Sequence, residues 1–455
     1  MARNIVLICL DSVRKDIFDQ VAVRTQELAD LSFDNCRAAS SWSVPSHASM
    51  ISGSLAHEHN VTTHSRSFSS LSIEDTIFED LKEYRTLGVS GNVYAGPSYE
   101  FDEYFDRFFT LQRGIRFPDA LNPYTESYNL SARGLLTYLR DCIKYSNTFE
   151  SLVNGFSGFL DAVTSISPRI FDEGARPGLN LTRKELQNGT EPLFIFLNLM
   201  ESHIPYQPAR YLNTEFYDVP RDWSSDEKSV WELIEGEYDE QYWNRRNQLY
   251  RATVDYLDRC ISDFVDSISE DTTIIVTADH GDNLGTEIDE GLANHKSSLS
   301  EGLLHVPLYI INSPEIDNQT GQYLSQLSLP QLIEGCRDGY IPDLTRDRAF
   351  AELAGMSAGP DPEVGYEYHD RAIRCAYYKD EKIVWDSLGN CTKYSIEQDG
   401  MNWQCHSCNL DQPPLWATER FGNEISNFKT DAVESRERVA LDQSTAERLE
   451  ELGYL

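Results

Sequence analysis

The 455-residue chain is short of basic residues: 39 Lys and Arg stand against 74 Asp and Glu, a formal net charge of −35 at pH 7. Because binding to nucleic acid depends largely on cations that neutralise phosphates, this composition argues against a nucleic-acid partner. The same deficit argues against adsorption to anionic membranes. A large net charge can accompany disorder, but 40% hydrophobic and 11% aromatic residues are enough for a core. We therefore expect a globular protein.

Long apolar runs are also missing, since no stretch approaches the roughly 18–20 residues of a membrane span. The first run, Ile5–Leu10, ends at Asp11 and is shorter than a signal-peptide core of about 7–15 residues. The nine cysteines are odd in number and scattered, which fits reduced thiols. These features predict a cytoplasmic protein without stable membrane insertion.

Lysine is scarce among the few basic residues, with ten Lys in the whole chain, while the acidic residues are spread along it. Abundant surface carboxylates keep proteins soluble at high salt, and this composition resembles that of proteins from salt-loving archaea. The alternative is an ordinary acidic cytoplasmic protein. We expect a halophilic, archaeal protein.

Short apolar runs rich in β-branched residues alternate with helical segments, and this pattern predicts an α/β fold. Its mostly parallel sheet would be sandwiched by helices, with the chemistry at the carboxyl ends of the strands. Apolar spacings of three and four predict a scaffold helix at Asn247–Ile268. The predicted strands are Ile5–Leu10, Thr86–Ser90, Leu193–Leu199, Thr273–Thr277 and Pro307–Ile311.

The pattern changes twice along the chain. Residues 111–190 have the texture of a helical insertion or lid, with amphipathic stretches around Leu130–Tyr145 and Phe149–Ile166. After about residue 345 shorter runs predict a small antiparallel sheet, and Ser444 with Glu447 predicts a capped terminal helix. We therefore expect a catalytic domain at 1–345 and a C-terminal subdomain at 346–455. The predicted strands of that subdomain are Arg348–Leu353, Arg371–Tyr378 and Lys382–Trp385.

Candidate ligands for a cation follow two of the predicted strands. Asp11 comes directly after the first strand, and Asp279 with His280 ends another. Carboxylate oxygens and an imidazole nitrogen suit Ca²⁺, Mn²⁺ or Zn²⁺, depending on the other ligands. For Asp11 alone, a helix cap is at least as good an interpretation.

Ser43 precedes Pro45 at the start of a predicted helix, where free N–H groups and the helix dipole stabilise an anion. A simple helix cap is the alternative. Further along, His203 follows a predicted strand, and His295 and Lys296 precede another. A histidine can donate a proton to a leaving group and a lysine can neutralise a tetrahedral anion, although an isolated histidine is usually structural.

Taken in chain order, from Asp11 to Lys296, these segments resemble the sulfatase family of the alkaline phosphatase superfamily. The resemblance extends from about Asn4 to Ile311, and the chain has a family-like ending from Glu447 to Leu455. The resemblance implies an alkaline phosphatase-like fold and one divalent metal ion, Ca²⁺ or Mn²⁺ before Zn²⁺. The implied metal ligands are Asp11, Asp279 and His280, the nucleophile is Ser43, His203 lies near the leaving group, His295 and Lys296 bind the nonbridging oxygens, and Asn92 and His47 contact substrate.

Two departures from the family pattern affect the chemistry. Ser12 stands where many sulfatases have a second Asp, and His47 stands where the nucleophile motif has Arg. In the family that motif also directs oxidation to formylglycine, which we do not expect here. An unmodified Ser43 favours phosphate over sulfate esters, because a sulfated serine is hard to hydrolyse by attack at sulfur.

The sequence thus predicts a metal-dependent hydrolase for a sulfate or phosphate ester of a small molecule, glycan or lipid. A transferase that passes the phosphoryl group to a glycan or lipid alcohol is one alternative, and a non-catalytic anion-binding protein is another. Cys405 and Cys408, with Cys391 upstream, offer only one CxxC-like unit where zinc sites usually have two. For these cysteines we expect free thiols in a loop, with a zinc knuckle as the alternative.

Overall fold

The computed structural model describes residues 3–124, 128, 132–163, 168–236, 239–295, 298–356, 366–397, 404–435, 445–446 and 448–449. A seven-stranded sheet lies at the centre, with strand order β2-β7-β6-β1-β5-β3-β4. Its strands are β1 Asn4–Leu10, β2 Leu31–Ser32, β3 Arg85–Ser90, β4 Arg107–Thr110, β5 Leu193–Leu199, β6 Thr272–Thr277 and β7 Leu308–Ile311.

Five strands that are adjacent in the sheet, β6, β1, β5, β3 and β4, run parallel to their neighbours. Strand β7 runs antiparallel to both β6 and β2. This confirms the expected mostly parallel sheet. Every residue of β5 and β6 is buried, as expected for strands covered by helices on both faces. The five predicted strands agree with the structure within one residue at each end. The edge strands β2 and β4 were missed, because one has two residues and the other exposes Arg107 and Thr110.

Helices cover this sheet, and the longest runs from Glu240 to Val265, seven residues earlier than predicted. Its first turns bury Tyr242, Trp243 and Arg246, so aromatic rings and an arginine replace the aliphatic pattern there. The helices are α1 Lys15–Val21, α2 Val23–Leu28, α3 Ser43–Ser52, α4 Ala56–His59, α5 Ile77–Asp80, α6 Ala132–Lys144, α7 Thr148–Val163, α8 Ala175–Asn188, α9 Val230–Glu235, α10 Glu240–Val265, α11 Glu301–Leu304, α12 Leu329–Asp338, α13 Tyr366–His369, α14 Leu415–Thr418 and α15 Ile425–Glu434.

The described residues of the region 111–190 form three helices, α6, α7 and α8, and the role of this region as an insertion or lid stays a prediction. Of these, α8 buries Leu179 and Leu181 in the main core. Among the described residues, no helix has both the length and the apolar character that a membrane crossing requires.

The C-terminal region contains the expected antiparallel sheet, with five strands in sequential order. Cys405 and Cys408 lie on its last strand, so the expected loop is wrong, although neither forms a disulfide with another described cysteine. Ser444 and Glu447 lie outside the described residues, while Leu449 is buried in the main core. The division of the chain at residue 345 stays a prediction. The strands are β8 Arg348–Leu353, β9 Ile373–Tyr378, β10 Glu381–Asp386, β11 Cys391–Ile396 and β12 Gln404–Asn409.

Candidate metal and nucleophile site

The register of the parallel strands brings polar residues to one edge of the central sheet. Cys9 of β1 pairs with Thr277 of β6, and each strand supplies a carboxylate two residues later, Asp11 and Asp279. On the other side β3 pairs with β5, and Asn92 and His203 follow these two strands. The sheet therefore places at one edge residues that are far apart in the sequence.

Asp11, Asp279 and His280 form the one group of three or more His, Cys, Asp or Glu residues, within the described part of the chain, that could hold a metal ion. Their ligand atoms lie within 4.8 Å of one another, and all three side chains are fully buried. Two carboxylates and one imidazole are a donor set for a hard or borderline divalent cation.

The hydrogen bonds within this group leave ligand atoms turned toward one another. His280 Nδ1 lies 2.7 Å from the Gly281 carbonyl oxygen, which places the ring proton on Nδ1 and leaves the Nε2 lone pair available. That Nε2 is 3.3 Å from Asp279 Oδ2. Asp279 Oδ1 accepts from two backbone N–H groups, whereas buried Oδ2 accepts no hydrogen bond. The geometry thus fits a bound cation.

The two carboxylates differ in their electrostatics. Burial raises the pKa of Asp11, and the neighbouring Asp279 charge raises it further. Burial also opposes ionisation of Asp279, but the neighbouring His280 and His47 rings and the N–H of Ser12 outweigh it and lower the pKa of that carboxyl. The two buried carboxylates therefore repel each other when both are ionised, which favours a cation between them.

Ser43 is the first residue of α3, as predicted, and is fully buried. Its Oγ lies 3.2 Å from His280 Nε2, so the hydroxyl is next to the candidate metal ligands. Trp42 provides no side-chain cap to the helix, and Pro45 occupies the first turn. This helix start favours an anion at the Ser43 side chain.

His47 lies one turn further along α3. Its Nδ1 is 2.6 Å from the Ser43 carbonyl oxygen, and its Nε2 is 3.3 Å from Asn198 Nδ2. The ring is fully buried and packs edge-on against Phe101 and Phe196. Contact between His47 and a substrate stays a prediction.

Asn92 contacts the candidate metal ligands directly. Its Nδ2 donates to Asp11 Oδ2 at 2.6 Å, and its Oδ1 accepts from the Tyr94 N–H at 2.8 Å. These two bonds fix the orientation of the amide, with the NH₂ group toward the carboxylate.

Two further histidines complete the cluster. The ring of His295 lies 4.7 Å from that of His280 and 5.5 Å from that of His203, between ring centroids. Arg246 holds the His295 loop, because its Nη2 donates to Asn294 Oδ1 at 2.9 Å. Lys296 lies outside the described residues. The structure therefore brings together all the other predicted site residues.

Two residues, Ser12 and Arg246, support this site in ways that the sequence did not predict. Ser12 has a left-handed backbone, with φ 62°, and donates from its N–H to Asp279 Oδ1 and from its Oγ to Asp11 Oδ1. Buried Arg246 also pairs with Asp282 at 2.7 Å. Its position within a helix resembles that of a surface charge, so only its neighbours in the fold identify it.

A cavity of about 160 Å³ adjoins the His203 side of the site. Arg113, Arg169 and Arg448 line it, and all three form ion pairs with Glu173. A larger cavity of about 390 Å³ lies against the C-terminal sheet, and its described lining includes none of the predicted site residues. Of these two cavities, the smaller one therefore adjoins the candidate site.

The chain is similar in sequence to one protein family and in fold to several solved structures. A protein-family model described as Sulfatase matches residues 3–333. A protein solved in complex with its substrate D-glucosamine-2-N,6-O-disulfate is similar, with 13% identity, TM-score 0.57, and 87% of this chain and 91% of that chain covered. The phosphonate monoester hydrolase of Agrobacterium radiobacter has 15% identity and TM-score 0.56, with 86% and 89% covered. No curated protein matches the chain.

Proposed function

Because the chain belongs to the sulfatase family, whose model matches residues 3–333, we propose that it hydrolyses a sulfate or phosphate ester with Ser43 as nucleophile. One observation carries the proposal: Ser43 Oγ lies 3.2 Å from His280 Nε2, within the cluster that also holds Asp11 and Asp279. A serine hydroxyl beside such a donor set, at a helix start, is suited to attack at a tetrahedral anion.

The proposed metal ligands are Asp11, Asp279 and His280, for Ca²⁺ or Mn²⁺ before Zn²⁺. A divalent cation held there would supply positive charge that favours ionisation of a hydroxyl and neutralises substrate oxygens. The chain's own contribution is to orient the three ligands: Gly281 fixes the His280 tautomer, and Asn92 and Ser12 hold the Asp11 carboxylate.

Ser43 begins the proposed reaction. Its hydroxyl gives its proton to solvent, its oxygen bonds to the phosphorus or sulfur, and the ester bond on the opposite side breaks. His203 donates a proton to the departing alcohol oxygen, and His295 and Lys296 bind the nonbridging oxygens. Water then attacks the phosphorus or sulfur of the serine ester and gives a proton to His203, while the bond to Ser43 Oγ breaks and that oxygen takes a proton from solvent.

His47 acts in this proposal as a positioning residue. Its Nδ1 donates a hydrogen bond to the backbone carbonyl oxygen of Ser43, so His47 holds the first turn of α3 that carries the nucleophile. An arginine, the family residue at this position, would have to place a charge among the rings of Phe101 and Phe196. This environment supports an unmodified Ser43, and with it phosphate esters ahead of sulfate esters.

The test is a substrate and metal screen on purified protein. We expect turnover of aryl sulfate, phosphate monoester or phosphate diester with Ca²⁺, Mn²⁺ or Zn²⁺, and loss of at least about 10³-fold in kcat for Ser43→Ala or Asp279→Ala. Ser52→Ala is the matched control, since Ser52 lies at the other end of α3 and donates only to the Ala48 carbonyl.

Retained turnover in a metal-stripped Ser43→Ala protein would refute the proposal. Calorimetry with each cation gives a second readout, in which Asp279→Ala, but not Ser52→Ala, weakens binding. Product analysis with an acceptor alcohol distinguishes the transferase alternative, because transfer yields a new ester instead of free phosphate.

A further inference from the structure

The hairpin formed by α6 and α7 exposes large apolar side chains along both helices. On α7 the exposed positions are spaced three and four apart, so they share one face of the helix. Ile143 is 74% exposed, Phe149 69% and Phe156 66%. The outer face, as we define it, consists of Leu135, Leu136, Leu139, Ile143, Phe149, Leu152, Phe156 and Phe159.

The inner side of α7 is polar. Ser151, Asn154 and Ser157 of α7 are buried, and their side chains bond the backbone of the segment 114–121. A helix of a soluble monomer normally turns its apolar stripe to the core and its polar residues to water. Helix α7 does the reverse, whereas α6 buries Tyr138 and Cys142 on its inner side. The inverted polarity of α7 indicates that the outer face of the hairpin is covered by something else.

The outer face has the size of a stable protein interface. An exposed Phe, Leu or Ile contributes on the order of 100 Å² or more, so the eight side chains expose roughly 900 Å². The largest apolar patch of a typical monomer is about 300–600 Å². A standard protein interface buries about 800 Å² on each partner.

The charges around this face favour a second copy of the chain as its occupant. Residues 132–163 carry three basic residues, Arg133, Arg140 and Lys144, and three acidic ones, Asp141, Glu150 and Asp161, in a chain whose net charge is −35. The hairpin is therefore a locally neutral region. An anionic lipid surface would require a basic polar face, which this balance does not supply.

We propose that the outer face is the interface of a homodimer, in which two α6–α7 hairpins pack across a two-fold axis as a four-helix arrangement. A two-fold contact uses the same patch on both subunits, so one apolar stripe is sufficient. Because the rest of each subunit is strongly acidic, long-range repulsion opposes the dimer at low salt. The Debye length falls from about 30 Å at 0.01 M to about 3 Å at 1 M, so the dimer tightens as salt rises.

The test is light scattering after size-exclusion chromatography, with the full chain in 0.05 M and 2 M KCl. We expect twice the chain mass of 51.9 kDa at high salt and partial dissociation at low salt. The Phe156→Asp and Ile143→Asp variants should be monomers with unchanged circular dichroism, since both side chains are exposed. Leu415→Asp is the control: this residue is 77% exposed on α14, outside the hairpin, and should leave the dimer intact.

Three results would overturn the proposal. The first is a monomeric wild-type protein in 2 M KCl at tens of micromolar, and the second is a dimer that both hairpin variants retain. The third is flotation of the monomer with phosphatidylglycerol vesicles that Phe156→Asp abolishes, because that result assigns the face to lipid. None of these readouts involves ester hydrolysis, so the proposed function stands or falls separately.

Discussion

Ser12 shows at the residue level how this site differs from what the sequence indicates. In the family pattern it replaces an acidic residue and removes a ligand, but in the structure it donates to both Asp11 and Asp279. The candidate ligands themselves were predictable, because strand-end positions and residue types are visible in the sequence. Side-chain direction was not: the orientations of Asn92 and His47 depend on partners from distant segments.

Asn92 allows the charge of the site to be tested without disturbing its shape. In Asn92→Asp a third carboxylate would lie beside Asp11 and Asp279, and without a cation this buried repulsion should lower the Tm by several degrees. Saturating Ca²⁺ or Mn²⁺ should then raise the Tm more than it does in the wild type. Thermal unfolding in EDTA and in each cation measures both effects.

The control is Asn92→Ala, which removes the bond to Asp11 without adding charge and should keep a cation-induced rise in Tm close to that of the wild type. If cations raise the Tm of neither the wild type nor either variant, then Asp11 and Asp279 do not bind a divalent ion. An equal rise in both variants would instead show that residue 92 does not face the bound cation.

At the scale of elements, the strands were predictable because buried parallel strands are uninterrupted apolar runs between polar ends. The last two strands of the C-terminal sheet, β11 and β12, were not predicted, for the opposite reason. β12 has an exposed or half-buried residue at every position, and β11 is buried only at its ends, so neither has an apolar pattern. The pairing of β11 with β10, and of β12 with β11, defines them as strands.

Gly281 fixes the turn that follows β6. A Cβ there would lie 2.0 Å from the Gly302 carbonyl oxygen, and backbone atoms cannot move aside as a side chain could. Gly281→Ala should therefore shift His280 and cost about 1–3 kcal/mol of the free energy of unfolding, with a loss in kcat. Urea unfolding and kinetics measure the two effects.

Gly422→Ala is the comparison, since nothing lies within 4 Å of a Cβ at that position. It should change the free energy of unfolding by less than about 1 kcal/mol. Equal effects of the two substitutions would show that the approach of Gly302 does not constrain the turn.

Over the whole molecule, buried charges connect the C-terminal sheet to the central one. Glu301 of α11 pairs with Arg37 at 2.9 Å and with Lys382 of β10 at 3.0 Å, and all three side chains are buried. Burial opposes ionisation of Glu301, but Arg37 and Lys382 outweigh it and hold its pKa at about 2. Residues of β8 and β9 also belong to the main core, so we expect the two regions to unfold together.

Lys382→Met tests this connection. The substitution removes the Lys382 charge beside Glu301 and leaves the Leu299 carbonyl and the Gln404 side chain without their donor. We expect a loss of about 3–5 kcal/mol in the free energy of unfolding, measured by urea denaturation in a single transition.

Lys393→Met is the matched control, because Lys393 lies on the neighbouring strand β11 and both it and its partner Glu381 are only half-buried. Its loss should stay below about 1 kcal/mol. Two separate transitions in wild-type unfolding would contradict the connection and favour independent domains at 1–345 and 346–455.

The order of the strands has a consequence for folding kinetics. β1 is central and pairs with β5 and β6, whose sequences lie far downstream, and the candidate site combines Asp11 with Ser43, Asn92, His203, Asp279 and His295. Contacts between such distant segments form slowly, because each closes a long loop of chain. During refolding, helical signal should therefore return well before cation binding. Recovery of cation binding would then report the closure of the central sheet.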